Sequence, residues 1–249
     1  MKRLLPILLV SMITSCASNE TADSKDVKQS EIYQNYTVSW IKGRGYASAS
    51  FRFGGINGTT LHLTSPSKVT YNDQQLTESK FLFGGAFYEG DQRGYSIKHE
   101  FQFTDADGKV YSNNINFEDV EFMNAPADVS KEENLVLEVT RPILGNEGIV
   151  LAAESDTSSS NEVQIGNDSQ ASAYYDLKAQ RLIIKPTFFL NFSDVPAKIW
   201  LLKEDKKKPI DQPTNLDGEF KFTFQSKDIS VTRVGKDTQA KGNKPGDKI

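Results

Sequence analysis

Cysteine is nearly absent from this 249-residue chain, which has one, Cys16. A single thiol excludes an internal disulfide, a thiolate-rich metal site and a paired redox centre. Histidine is almost as scarce, with only His62 and His99. Neither has a second histidine at ligand spacing, and no serine sits in a G-x-S-x-G elbow, so a histidine metal pair and that hydrolase motif are both missing. Long apolar runs are missing too. Leu4 to Ile13, broken only by Pro6 and Ser11, is ten residues, half of the roughly 20 that a membrane-crossing helix needs. An excess of basic residues is also lacking, with 29 Lys and Arg against 33 Asp and Glu. A binder of phosphate backbone would concentrate cations, so nucleic acid is not an expected partner. The one dense cationic run, Lys206-Lys207-Lys208, follows Glu204-Asp205 and reads as a solvated loop.

What the N-terminus does contain is ordered as an export signal: Lys2 and Arg3, then the short apolar segment, then Ile13-Thr14-Ser15-Cys16. Those four residues resemble the lipobox of bacterial lipoproteins, in which an aliphatic residue and two small residues precede a cysteine that receives a diacylglycerol before cleavage. The resemblance covers the first 16 residues. It implies that residues 1–15 are removed, that Cys16 becomes the lipid-modified N-terminus, and that the protein is held on a membrane by this anchor. Ala17, where an Asp would retain the protein at the inner membrane, implies the outer membrane if the cell has one. Two or three acyl chains on one residue give a stable anchor where a single chain would not.

Removing Lys2 and Arg3 from the 29 basic residues leaves 27 against 33 acidic ones, a net charge near −6 for the mature chain. With its only thiol lipidated, the fold must be stabilised by its core. Ala17 to Gln29 has Val27 as its one aliphatic residue beyond alanine, so residues 16–30 are expected to form a flexible tether. Residues 235–249, rich in Lys, Gly and Asp, are expected to be a disordered tail.

Between these ends the apolar period is two, and helical spacing is not sustained over three turns, which predicts an all-β body. Ala47, Ala49, Phe51 and Phe53 alternate with Ser48, Ser50 and Arg52. Tyr95, Ile97, His99, Phe101 and Phe103 alternate with Ser96, Lys98, Glu100 and Gln102. Gly54 to Gly58, Asn72-Asp73, Asp105 to Gly108 and Asp217-Gly218 read as turns. The pattern restarts after Asn124 to Asp128 with Leu135, Leu137 and Val139, then Ile149 to Ala153, Leu182 to Ile184, Ile199 to Leu202, Phe220 to Phe224 and Ile229 to Val234. Short strands at this spacing predict two tandem immunoglobulin-like β-sandwich domains, 31–125 and 129–234. Leu182 to Pro186, the aromatic stretch to Phe192 and Val195 to Lys203 are similar to the closing half of bacterial immunoglobulin-like modules, which supports the fold and implies no activity.

The chemistry on offer is thin. His99 lies on an apolar face and reads as a core imidazole, while His62, between Leu61 and Leu63, should face solvent. Asp105, Asp107 and Gly108 resemble the start of a calcium loop, but Asn116 stands where its distal Glu belongs, so a hairpin turn is favoured. No cofactor, no metal and no catalytic set is expected. Trp40, Phe87, Tyr88, Tyr111, Tyr174 and Tyr175 form a candidate platform for a sugar ring or partner chain, weighed against simple core packing. The expected function is a non-enzymatic interaction or scaffold lipoprotein of the cell envelope, its partner an envelope protein. The alternative is a carbohydrate- or small-ligand-binding lipoprotein, its partner a glycan.

Overall fold

The structure, a computed structural model, describes residues 20–80, 85–124, 128–155, 159–192 and 196–234. The signal segment, Cys16, the centre of the expected inter-block hinge and the expected tail lie outside those residues. The fold is all-β, 55% strand and 5% helix, with several sheets and, among the described residues, no barrel.

The strands in chain order are β1 (Thr21–Asp23), β2 (Ile32–Ile41), β3 (Arg44–Phe53), β4 (Thr59–His62), β5 (Lys68–Tyr71), β6 (Gln74–Gln75), β7 (Thr77–Lys80), β8 (Ala86–Gln92), β9 (Lys98–Thr104) and β10 (Val110–Asn116). They continue with β11 (Asp128–Ser130), β12 (Leu135–Leu137), β13 (Val150–Ser155), β14 (Ser160–Gln164), β15 (Ala173–Asp176), β16 (Arg181–Ile184), β17 (Ala197–Pro209), β18 (Glu219–Gln225) and β19 (Ile229–Val234).

The longest hairpin is β2–β3, joined at Lys42 and Gly43, both with positive φ, the backbone of a two-residue turn whose twist matches its strands. Its inward residues Ile32, Tyr36, Val38 and Trp40 are buried. Trp40 pairs with Gly45, where a Cβ would meet the indole at 2.6 Å, so glycine makes room for the ring. A four-stranded sheet in the order β10–β9–β5–β6 packs across this hairpin. Tyr36 stacks on Phe101 at 4.6 Å and Phe51 lies 4.4 Å from Phe103, which makes the first block a two-layer sandwich with an aromatic interior.

The two blocks share a sheet. β18, from the second block, runs parallel to β2 with Phe220 opposite Tyr36 and Phe224 opposite Trp40. The thirteen-residue β17 pairs with β13 through its first half and with β18 through its second. The result is a twelve-stranded sheet that crosses the boundary expected at residues 126–128, with one buried cluster running from Ile32 to Val231. A three-stranded sheet, β12–β16–β15, contributes Leu135, Leu137, Leu182 and Ile184 to that cluster.

Three sequence expectations change. The tether was expected to be free as far as residue 30, yet β1 pairs in parallel with β4 and Ser24 is fully buried. Gln29 explains this without apolar side chains. Its Nε2 donates to Ser24 O and Val27 O at 2.6 and 2.7 Å, and its Oε1 accepts Ala106 N at 2.9 Å. Ile97, expected on the inward face with Tyr95 and His99, is 57% exposed because β9 begins one residue later, at Lys98. Lys206 to Lys208 lie within β17, at a register shift between Asp205 and Lys208, and not in a loop. The Asp105 turn forms as expected. Asp105 Oδ1 accepts Asp107 N and Lys109 N, and Gly108 takes φ +81°.

Candidate functional site

The six candidate platform aromatics do not converge. Trp40, Tyr88, Tyr111 and Tyr175 are at most 5% exposed and belong to the core, which corrects the platform reading for these four. Phe87 and Tyr174 are half-buried on strands of different blocks, β8 and β15. Small sandwiches need large rings to fill the space between sheets, and this one uses most of its aromatics that way.

His99 is fully buried, among Tyr95, Tyr71 and Phe222. The Tyr71 hydroxyl lies 2.6 Å from His99 Nδ1 and donates to Gln92 Oε1 at 2.6 Å. Tyrosine has one hydroxyl proton, so His99 Nδ1 is the donor and Nε2 is the bare nitrogen, which has no partner among the described residues. Burial lowers the imidazole to about 4, so it stays neutral at physiological pH.

His62, expected to face solvent, is half-buried and paired with Glu78 Oε1 at 2.8 Å. The neighbouring Tyr88 hydroxyl accepts Leu63 N at 2.5 Å and contacts Glu78 Oε2 at 3.4 Å. Desolvation, ahead of the nearby Glu78 charge, pushes this phenol up to about 12. Beside the Tyr88–Glu78 contact a cleft of about 330 Å³ opens at the edge of the first sandwich, between the β4–β5 connection, β5 to β7, and β8.

A second feature is the outer face of the large sheet. Ser48 lies opposite Thr37 and Glu89, and Thr37 lies opposite Lys221, so one row crosses β8, β3, β2 and β18. Asn35, Thr37, Ser48 and Ser50 floor a shallow depression of about 300 Å³, with Tyr46 and Phe87 at its sides. Asn35 Oδ1 has no hydrogen-bond partner among the described residues. Tyr46 and Ser79 both donate to Glu89, whose carboxyl is held below its usual range, first by Ser79 and then by Tyr46. Phe87 was anticipated here and Tyr46 was missed. The signal for Tyr46 was its register with Ser48 and Ser50, already recognised as the polar face of their strand.

A wider groove, about 710 Å³, lies between Asn116 to Glu118 and the Arg141 to Glu147 segment. Arg141 fills its wall structurally. It meets Glu147 Oε2 at 2.7 Å, donates to Glu118 O at 2.6 Å and to Pro142 O at 2.8 Å, and stands 5.5 Å over the Phe117 ring. Every guanidinium nitrogen is engaged, so the residue clamps the end of the first block to the second and has no free donor for a ligand. Arg141→Ala is expected to lower the unfolding free energy by about 2 kcal/mol, less than for a fully buried pair because Glu147 is partly solvated. Arg141→Lys should recover less than half, since a point charge cannot serve several carbonyls in a plane. Urea unfolding of the three proteins measures both differences.

Among the described residues no group of three or more His, Cys, Asp and Glu is placed to hold a metal ion, and no helix is long and apolar enough to cross a membrane. No known protein family matches the chain, and no curated protein matches it either.

Proposed function

We propose that this protein is an exported, lipid-anchored module of the cell envelope that works by non-catalytic binding, presenting the outer face of β8, β3, β2 and β18 to another envelope component. The observation that supports this reading is the makeup of that face. Small hydroxyl and amide side chains from adjacent strands lie in register, flanked by Tyr46 and Phe87. Such a surface gives up little side-chain entropy on contact and offers many short hydrogen-bonding groups. The immunoglobulin-like description belongs to the same proposal. The face-to-face sheets of the first block support it, with β18 lent from the second.

Anchoring rests on the lipobox at Cys16, and the packed N-terminal segment changes its consequence. Four residues lie between Cys16 and Thr21 of β1, five Cα-to-Cα steps, which limits the reach to roughly 17 Å. The body therefore rides close to the bilayer, at the outer membrane in a cell that has one. Cys16→Ala is expected to abolish palmitate incorporation and move the protein from the membrane to the soluble fraction. Photo-crosslinking from Ser48 in the native membrane should then yield a recurrent adduct that depends on Cys16. Membrane fractionation unchanged by Cys16→Ala overturns the anchor, and absence of any adduct from Ser48 overturns the assignment of the face.

The second reading, a carbohydrate- or small-ligand-binding lipoprotein, is favoured by a different observation, the cleft beside Tyr88 and Glu78.

A further inference from the structure

The chain enters the fold beside one tip of the first sandwich. β1 runs parallel to β4, with Thr21 opposite Thr60 and Asp23 opposite His62, and Glu20 O accepts Thr60 N at 3.1 Å. The connection back to Cys16 therefore leaves in the direction of Thr59 and the β3–β4 turn, residues 54–58. From Glu20 to Cys16 is four Cα-to-Cα steps, a reach of at most roughly 14 Å.

The turn projects from the body. Gly54 and Gly55 take φ +84° and +108°, with open space where a Cβ would stand. Gly58 N donates to Gly55 O at 2.9 Å and Arg52 Nη1 donates to Ile56 O, so the tip is held in one shape. Ile56 at that tip is 46% exposed. No charged residue occurs from Phe53 to Leu61, in a chain that is 25% charged. An uncharged tip with an exposed aliphatic side chain can enter a headgroup layer without desolvating an ion.

We propose that the β3–β4 turn is a membrane contact, seating Ile56 in the headgroup layer of the bilayer that holds the Cys16 lipid, so that β2 and β3 rise end-on from the surface. The proposal rests on the Cys16 anchor and adds an orientation to it. A lone isoleucine would not hold a free protein on a bilayer, but the anchor makes the contact intramolecular and raises its effective concentration. Arg44, at the far end of the ten-residue β3, stands roughly 30 Å from the turn and clear of the lipid. The outer face of β8, β3, β2 and β18 is then open sideways, where another envelope component can reach it.

Lipid quenching of a site-specific fluorophore tests this. Lipidation consumes the only native thiol, so an introduced cysteine alone takes the label. Lipidated full-length protein labelled at Ile56→Cys, at the neighbouring exposed Asn57→Cys or at Arg44→Cys is reconstituted into vesicles of phosphatidylethanolamine and phosphatidylglycerol containing a headgroup-nitroxide lipid. Quenching at both turn positions should exceed that at Arg44→Cys about threefold or more. A Gly-Ser spacer of about ten residues inserted between Ala17 and Ser18 should remove most of that difference, because the longer connection no longer holds the turn at the surface. Protein that floats with the vesicles and is quenched equally at the turn and at Arg44→Cys overturns the contact alone. A difference undiminished by the spacer overturns the role of the short connection. Protein that does not float overturns the Cys16 anchor and the contact with it, which separates the two failures.

Discussion

A fragment ending at residue 124 is expected not to fold, although it contains every strand of the first block as the sequence divides it. The missing piece is β18. Its Phe220, Phe222 and Phe224 are each at most 2% exposed and pack into the first sandwich. Phe220 meets Tyr36 and Phe101, Phe222 meets His99 and Phe117, and Phe224 meets Tyr95 and Phe117. Truncating one buried Phe to Ala costs about 3–5 kcal/mol, and the total stability of a domain is about 5–15 kcal/mol, so losing three at once leaves no margin. The fragment would also expose the edge of β2 along seven residues of parallel pairing, a template for aggregation. The connection before β18 is itself pinned to the first block, through Gln212 N to Asn113 Oδ1 and Thr214 Oγ1 to Ile32 O, both at 2.7 Å. Circular dichroism and size-exclusion chromatography of the fragment should show an unfolded or aggregated chain. Full-length protein should unfold in one cooperative transition in which probes at Trp40 and Trp200 coincide. A fragment with its own cooperative melt, or two separate transitions, would show that the blocks are independent modules.

The second large effect is acid instability centred on His99. In the unfolded chain this imidazole titrates near 6.5, and in the fold burial lowers it to about 4. Between those values the unfolded chain binds a proton that the folded chain does not, so protonation favours unfolding. The stabilisation is complete above about pH 6.5, is lost progressively as pH falls to about 4, and amounts to about 3 kcal/mol. His99→Phe keeps a ring in the same shell and leaves Tyr71 bonded to Gln92. Its stability should lie within about 1 kcal/mol of wild type at pH 7, and its profile should be flatter from pH 6.5 to 4. Urea unfolding at half-unit pH steps reads this directly. Parallel profiles for the two proteins would assign the acid sensitivity to other groups.

Much of the strand pattern was legible in the residues. β18 and β19 lie where period-two alternation and turn residues place them, and Asn72-Asp73 adopts the positive φ its turn requires. β2 was not legible, because Gln34 interrupts the apolar alternation of Ile32, Tyr36, Val38 and Trp40. Only the pairing with β3 and β18 shows that Gln34 lies on the buried face, its carbonyl accepting the Tyr36 hydroxyl at 2.6 Å. The candidate site was half legible. Phe87 and the polar Ser48 and Ser50 could be picked out, but Tyr88 was assigned to a platform and is core.

The sequence by itself determined the class of secondary structure, the scarcity of titratable chemistry and the lipobox expectation at Cys16. Each of these depends on residue type and near-neighbour spacing. Tertiary structure alone decided that one sheet runs through both blocks, that Gln29 docks the N-terminal segment, and that Arg141 is a clamp. These depend on backbone and side-chain groups meeting across separations of tens to nearly two hundred residues, which local periodicity does not encode.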